Sequence, residues 1–189
     1  MEKFVVIYDA CVLYPAPLRD LLMQLALADL FRAKWTERIH EEWIRNVIKD
    51  RPDLKREQLQ KISKLMDENS LESKVHDYEH IIPSLDLPDP NDRHVLAAAI
   101  KANADTIVTM NLKDFPAKVL KQYNIDAVHP DNFIKYLLED ELASVLSAVK
   151  TTRARLKKPP KTAEEYLSIL KRQSLPLTTF ILSEFVDLI

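Results

Sequence analysis

The chain of 189 residues contains no glycine at all. That excludes Gly-rich phosphate loops, the dinucleotide fingerprint and the Gly-turned calcium loop of an EF-hand, each of which needs backbone geometry that a Cβ obstructs. Any phosphate must therefore be handled by side chains or by metal. A single cysteine, Cys11, excludes an intramolecular disulfide and a thiolate zinc cage. Together with the lack of a charged, apolar and cleavable leader, it leads us to expect a reducing, cytoplasmic location. No apolar run approaches the roughly 18 residues needed to cross a bilayer, so no membrane partner is expected. Net charge is nearly absent too, at −2, so any nucleic-acid contact must be regional rather than a property of the whole surface. What the chain does have is apolar material: 47% of its residues are hydrophobic, enough for a real core.

Residues 3–8 read Lys-Phe-Val-Val-Ile-Tyr, a short apolar run with β-branched members that fits a strand buried on both faces of a parallel sheet and ends at Asp9. Helical spacing of Leu21, Leu22, Leu25, Ala28 and Leu30 predicts a helix over 18–32, and Thr36 opens another towards Lys49. The Leu59, Ile62 and Met66 stripe predicts a third over 55–70. Residues 71–91 are broken by Pro83, Pro88 and Pro90, with room for one short strand near Val75. Thereafter a helix over 90–103, a strand over 106–110, a helix over 117–122, a strand over 126–129 and a helix from Pro130 alternate. Such alternation predicts an α/β fold with parallel strand order. Beyond 140 the pattern is helical, with a joint at Pro159 and Pro160, a capping box from Thr162 to Glu165, and a last helix from Leu177 whose apolar tail must be covered.

In an open parallel sheet, sites form at the carboxyl ends of strands. Asp9 follows the first strand, and Asn111 follows the second with Asp114 three residues on. Asp9 could instead serve a turn or cap a helix. In Pro88-Asp-Pro-Asn-Asp-Arg-His-Val-Leu-Ala-Ala-Ala99, Asp89 has the look of an N-cap, while helical projection sets Asp92 within about 60° of Val95, Leu96 and Ala99. Asp92 therefore heads the buried face, where a carboxylate is costly unless something positive meets it, and a divalent cation would serve. Arg93, His94 and Lys101 project elsewhere. Glu41 and Glu42 share a polar arc with Arg38 and Arg45, and periodicity does not choose between them. The five histidines show no His-Glu-x-x-His pattern and read as ordinary polar residues; Cys11 reads as a small buried hydrophobe. Oxygen ligands from separate segments, with no His or Cys among them, favour a hard cation such as Mg²⁺ or Mn²⁺ of the kind that promotes in-line attack of water on a phosphodiester.

These pieces in this order, Val5-Val-Ile-Tyr-Asp-Ala-Cys-Val-Leu13, Glu41-Glu-Trp43, the Asp89–Ala99 run, Ile107-Val-Thr-Met-Asn-Leu-Lys-Asp-Phe-Pro116 and His129-Pro-Asp-Asn-Phe133, resemble the PIN-domain nucleases, the fold of VapC-type toxins. The resemblance covers residues 3 to about 138. It implies a PIN-like three-layer fold with a central parallel sheet flanked by helices over 1–138, and a helical C-terminal extension over 139–189. It further implies Asp9, Glu42 and Asp92 as metal ligands, Asn111 or Asp114 completing the catalytic set, and Thr109 and Asp89 in support. Asn111 stands where many relatives carry Asp, which removes a charge unless Asp114 compensates. The activity implied is a Mg²⁺- or Mn²⁺-dependent endoribonuclease, the toxin of a type II toxin–antitoxin pair, leaving a 5′-phosphate. RNA, a cognate antitoxin and a second copy of the chain are the implied partners. The basic stretch with Lys150, Arg153, Arg155, Lys157, Lys158 and Lys161, free of acids between Leu142 and Thr162, suits RNA-backbone contact as well as a solvated linker.

Two rival readings remain at this stage. One is a PIN module with little catalysis that acts by binding RNA or protein, for which Asn111 is the support. The other is a phosphatase with Asp9 as nucleophile, which is disfavoured because Cys11 stands where a second Asp is wanted.

Overall fold

The computed structural model describes residues 3–189. In chain order the elements are β1 (Val5–Tyr8), α1 (Ala10–Leu13), α2 (Ala16–Leu27), β2 (Arg32–Lys34), α3 (Glu37–Asp50), α4 (Arg56–Asn69), α5 (Arg93–Lys101), β3 (Thr106–Val108), α6 (Ala117–Leu120), β4 (Asp126–Val128), α7 (Pro130–Asp140), α8 (Leu142–Ala154), α9 (Ala163–Lys171) and α10 (Pro176–Ser183). Short 3₁₀ turns at Glu79–Ser84, Pro90–Asp92 and Leu112–Asp114 connect them. Two compact units emerge: residues 3–14 with 31–129, and residues 15–30 with 130–189.

The first unit is built on a sheet of order β2-β1-β3-β4, every pair parallel. β1 lies inside it, so Val6, Ile7 and Tyr8 are fully buried, as its uninterrupted apolar run requires. The α/β layering and parallel order expected from the alternation are both present. β2 was not expected. Residues 18–32 read as one helix, yet α2 stops at Leu27 and Asp29 takes a left-handed φ of 63°. Arg32-Ala33-Lys34 then forms an edge strand that buries only Ala33. The strand expected near Val75 is a single bridge between Trp35 and Lys74.

α5 also departs from expectation. It is covered nearly all round: Val95, Leu96, Ala97, Ala98 and Ala99 are fully buried, and so is His94, which was expected to project away. A row of alanines lets a helix be enclosed on every side, and single-face projection then fails to sort its residues.

The second unit is helical. α2 packs against α8 and α9, and α10 against α7 and α9, around Leu18, Leu21, Leu22, Leu25, Val145, Val149 and Leu170. Asp131, 4% exposed, accepts hydrogen bonds from the backbone N–H groups of Leu177 (2.9 Å) and Thr178 (2.8 Å), fastening the start of α10 to α7. The Thr162–Glu165 capping box opens α9 as expected. The apolar tail is covered only in part: Leu182 and Ile189 are buried, while Phe180 stays 71% exposed. Without glycine, left-handed backbone falls to Asp29, Asp77, Asn103, Asn124 and Ser174, mostly the short polar types that tolerate it.

Candidate active site

The acidic residues singled out from the sequence gather at the carboxyl end of the sheet in the first unit. Asp9 leaves β1 and is 4% exposed, its backbone N–H still donating to Val108 of β3. Thr109, fully buried after β3, donates from Oγ1 to Asp9 Oδ2 at 2.7 Å, and Cys11 Sγ donates to the same oxygen at 3.1 Å. Thr109 Oγ1 accepts from the Asn111 N–H (3.0 Å) and Cys11 Sγ from the Met110 N–H (3.2 Å). Cys11 is thus a partly exposed member of a polar network, not the buried hydrophobe expected of it. The network ties the ends of the two inner strands together and fixes the Asp9 carboxylate. Met110 to Asp114 then turn back, with the Asp114 N–H donating to Asn111 O.

α3 supplies Glu42. Thr36 caps the helix by accepting from the Ile39 N–H, and two tryptophans and a histidine anchor it. Trp43 Nε1 donates to His40 Nδ1 at 3.0 Å, and His40 Nε2 meets Asp67 of α4 at 3.0 Å; burial lowers the His40 pKa, so the neutral ring donates there. Asp67 also accepts from Trp35 Nε1 and Lys74 Nζ. Burial alone would raise the Asp67 pKa, but these donors outweigh it and hold the carboxyl below its ordinary value. So fastened, α3 turns Glu42 towards α5, where His94 Nε2 lies 3.1 Å from Glu42 Oε2. Glu41 pairs instead with Arg56. The structure therefore separates two glutamates that periodicity left equivalent.

His94 is the site residue that the sequence reading missed. It is 1% exposed, and its Nδ1 is buried with no hydrogen-bond partner, which assigns the ring's proton to Nε2 and its donation to Glu42. The one available signal was position: His94 lies two residues beyond Asp92, immediately before the buried run from Val95 to Ala99.

Glu42, Asp89, Asp92, His94, Asn111 and Asp114 line one hollow of about 450 Å³, with Arg38, Glu41, Arg45, Asn46 and Asn91 around it. Asp9 is close enough to act electrostatically on Asp92 from below. Burial, reinforced by the charges of Asp9, Asp89, Asp114 and Glu42, pushes Asp92 up to about 7. Burial also raises Asp9, against the pull of its bonds from Thr109 and Cys11. Asp89 behaves as its sequence position suggested, accepting from the Asn91 N–H at 2.8 Å at the start of the turn leading into α5.

The donor chemistry suits a hard cation: the groups are oxygens, and the charges of Asp9, Asp89, Asp114 and Glu42 all act to keep Asp92 protonated. The side chains themselves are not drawn in. Among the described residues no three His, Cys, Asp or Glu stand together as a group that could hold a metal ion. Asp9 Oδ2 is meanwhile committed to Thr109 and Cys11.

The remaining sequence candidates, Arg153, Arg155, Lys157 and Lys158, belong to the second unit. Arg153 is partly engaged, its Nη1 donating to the Lys161 carbonyl at 2.7 Å. Lys157 forms a bridge with Pro160 across the proline joint.

A four-stranded parallel sheet of this order, with acids converging on its carboxyl edge, defines a PIN-type α/β protein. Residues 5–113 match the PIN domain, and the chain belongs to that family. Residues 130–184 match the VapC50 C-terminal domain, which makes this a VapC-like PIN protein with a C-terminal extension. Among curated proteins it is similar to "Putative ribonuclease VapC50" of Mycobacterium tuberculosis (strain ATCC 25618 / H37Rv), 60% identical over 43 residues, or 23% of this chain. That alignment spans 25% of the relative's own length. No solved structure matches the chain. No helix of the described residues is long and apolar enough to cross a membrane.

Proposed function

We propose that the protein is a Mg²⁺- or Mn²⁺-dependent endoribonuclease acting as the toxin of a type II toxin–antitoxin pair. Family membership and the name of the M. tuberculosis relative support a nuclease. The observation that carries the reading is the hollow itself, where Glu42, Asp89, Asp92 and Asp114, from three segments, line one space and Asp9 adds its charge to those that raise Asp92. Such crowding costs stability unless an ion relieves it.

In this reading Asp9, Glu42 and Asp92 would hold the cation, with Asn111 or Asp114 completing its surroundings. When bound, the ion supplies charge neutralisation for the phosphodiester transition state and makes water a better nucleophile near neutral pH. The rest is the work of the chain. Thr109 and Cys11 hold Asp9 in one rotamer through Oδ2, which leaves Oδ1 to serve a cation. His94 keeps Glu42 aimed at the same space. Asp92, its pKa raised to about 7 by burial and like charge, would give up its proton where positive charge offsets its neighbours. Asp89 stiffens the turn that presents Asp92. Hydrolysis would leave a 5′-phosphate, and the extension over 139–189 would serve RNA or antitoxin contact.

The test is cleavage of a mixed-sequence single-stranded RNA with Mn²⁺. Wild type should cut; Asp9→Asn and Asp92→Asn should each lose about 10³-fold in rate, equivalent to several kcal/mol of transition-state stabilisation. Metal-independent cleavage, or cleavage indifferent to both substitutions, overturns the assignment. The second reading, a PIN module that binds without cutting, rests on Asn111 and on the spread of the carboxylates; RNA binding without any metal-dependent cleavage would establish it.

A further inference from the structure

The acidic hollow is not an isolated pit. A second hollow of about 300 Å³, lined by Cys11, Tyr14, Asn46, Lys49 and Asp50, shares Asn46 with the first. Both are floored by one stripe of α3: residues 38, 41, 42, 45 and 46 face the first and 46, 49 and 50 the second, a spacing of alternating three and one that keeps them on a single helical face. The stripe from Arg38 to Lys49 is about 16 Å long.

Three cations lie on that stripe, Arg38, Arg45 and Lys49, all exposed. None has a side-chain hydrogen bond or ion pair among the described residues, whereas the neighbouring Arg56 is taken up by Glu41. Unpaired arginines next to a set of carboxylates are unexpected as mere surface chemistry, since Glu42, Asp92 and Asp114 line the same hollow. Tyr14, the aromatic ring among the lining residues, closes the far end, its hydroxyl donating to Asp50 at 2.7 Å.

We propose that the α3 stripe is the track of a single RNA strand, with Arg38, Arg45 and Lys49 contacting its phosphates as it crosses the acidic hollow and Tyr14 meeting a base at the second hollow. The inference rests on the nuclease reading of the acids and adds to it the path of the substrate. A flexible phosphodiester chain fits the alternation of charge: cations at intervals bind backbone, and between them the acids receive one phosphate only when a metal shields it. An acidic peptide would satisfy the cations but gains nothing from the carboxylates between them.

The experiment measures binding of a fluorescent, unstructured RNA 20-mer to the full chain carrying Asp92→Asn, without added divalent metal so that cleavage is suppressed, across a series of salt concentrations. Each phosphate contact contributes about 0.7 to the slope of log affinity against log salt for a single strand. Adding Arg38→Gln, Arg45→Gln and Lys49→Gln together should lower that slope by about 2, and Arg45→Gln alone by about 0.7. The single variant guards against misfolding in the triple one. Replacing Arg153, Arg155, Lys157 and Lys158 with Gln should change the slope less than the α3 set does. A slope unmoved by the α3 substitutions in a protein whose wild type cleaves RNA overturns the track and leaves the nuclease reading standing. Absence of both RNA binding and cleavage overturns both. Binding of a polyglutamate peptide, with no RNA binding and with the same dependence on α3, would assign the surface to a protein partner and overturn the RNA track.

Discussion

Two aspartates in the two units have much the same chemistry and opposite fates. Asp131, in the helical unit, is buried and receives two backbone N–H donors at the head of α10, so its charge is satisfied by the fold. Asp92, at the mouth of the acidic hollow, lies among Asp9, Asp89, Asp114 and Glu42, and its pKa rises to about 7. A carboxylate met by backbone donors is an element of structure, worth more than an ordinary neutral hydrogen bond. A carboxylate surrounded by like charge is a cost that the fold carries in the absence of a ligand. Glu42 falls between the two, facing the hollow with His94 as its partner.

The largest separation between them should appear on removing Asp131. Asp131→Ala strands two N–H groups at the start of α10 and should cost about 2–3 kcal/mol in urea unfolding, with RNA cleavage per folded molecule unchanged. A loss of cleavage without a loss of stability would make Asp131 part of the site and dissolve the contrast. Next comes the intermediate case: His94→Ala frees the Glu42 carboxylate to rotate, and Mn²⁺ affinity measured by calorimetry should fall about 10- to 100-fold. His94→Gln, which keeps an N–H near the position of Nε2, should recover part of it. The smallest effect is the one of opposite sign. For Asp92 the folded state holds its proton more tightly than the unfolded chain, so this contribution to stability is complete below about pH 4 and is lost as pH rises through about 7. Asp92→Asn should therefore stabilise the metal-free protein at pH 8, by about 1 kcal/mol after allowance for solvent screening, while impairing cleavage. Destabilisation at that pH would place Asp92 with Asp131.

The sheet's inner strands could be read from the sequence because burial on both faces leaves unbroken apolar runs, Val5–Tyr8 and Thr106–Val108. β2 could not, since Arg32 and Lys34 flank its one buried residue and three positions carry no period. The end of α2 was hidden for a related reason: the residue that stops it is Asp29, not a glycine. Asp9, Asp92, Asn111 and Asp114 were legible as positions by lying just past strands or at a helix start, whereas the partner of each carboxylate was not. Thr109 and Cys11 reach Asp9, and His94 reaches Glu42, across 100, 2 and 52 residues of sequence, so apart from Cys11 only the folded chain brings them together.

The left-handed residues described in a chain without glycine also bear on its unfolded state. A Cβ at every position narrows the range of conformations open to the denatured polymer, so less disorder is surrendered at each turn on folding. The strain accepted at Ser174 and its counterparts is thus set against a stiffer random coil. A sheet edge loaded with mutually repelling acids is tolerable in a protein whose disordered form has comparatively little freedom to lose.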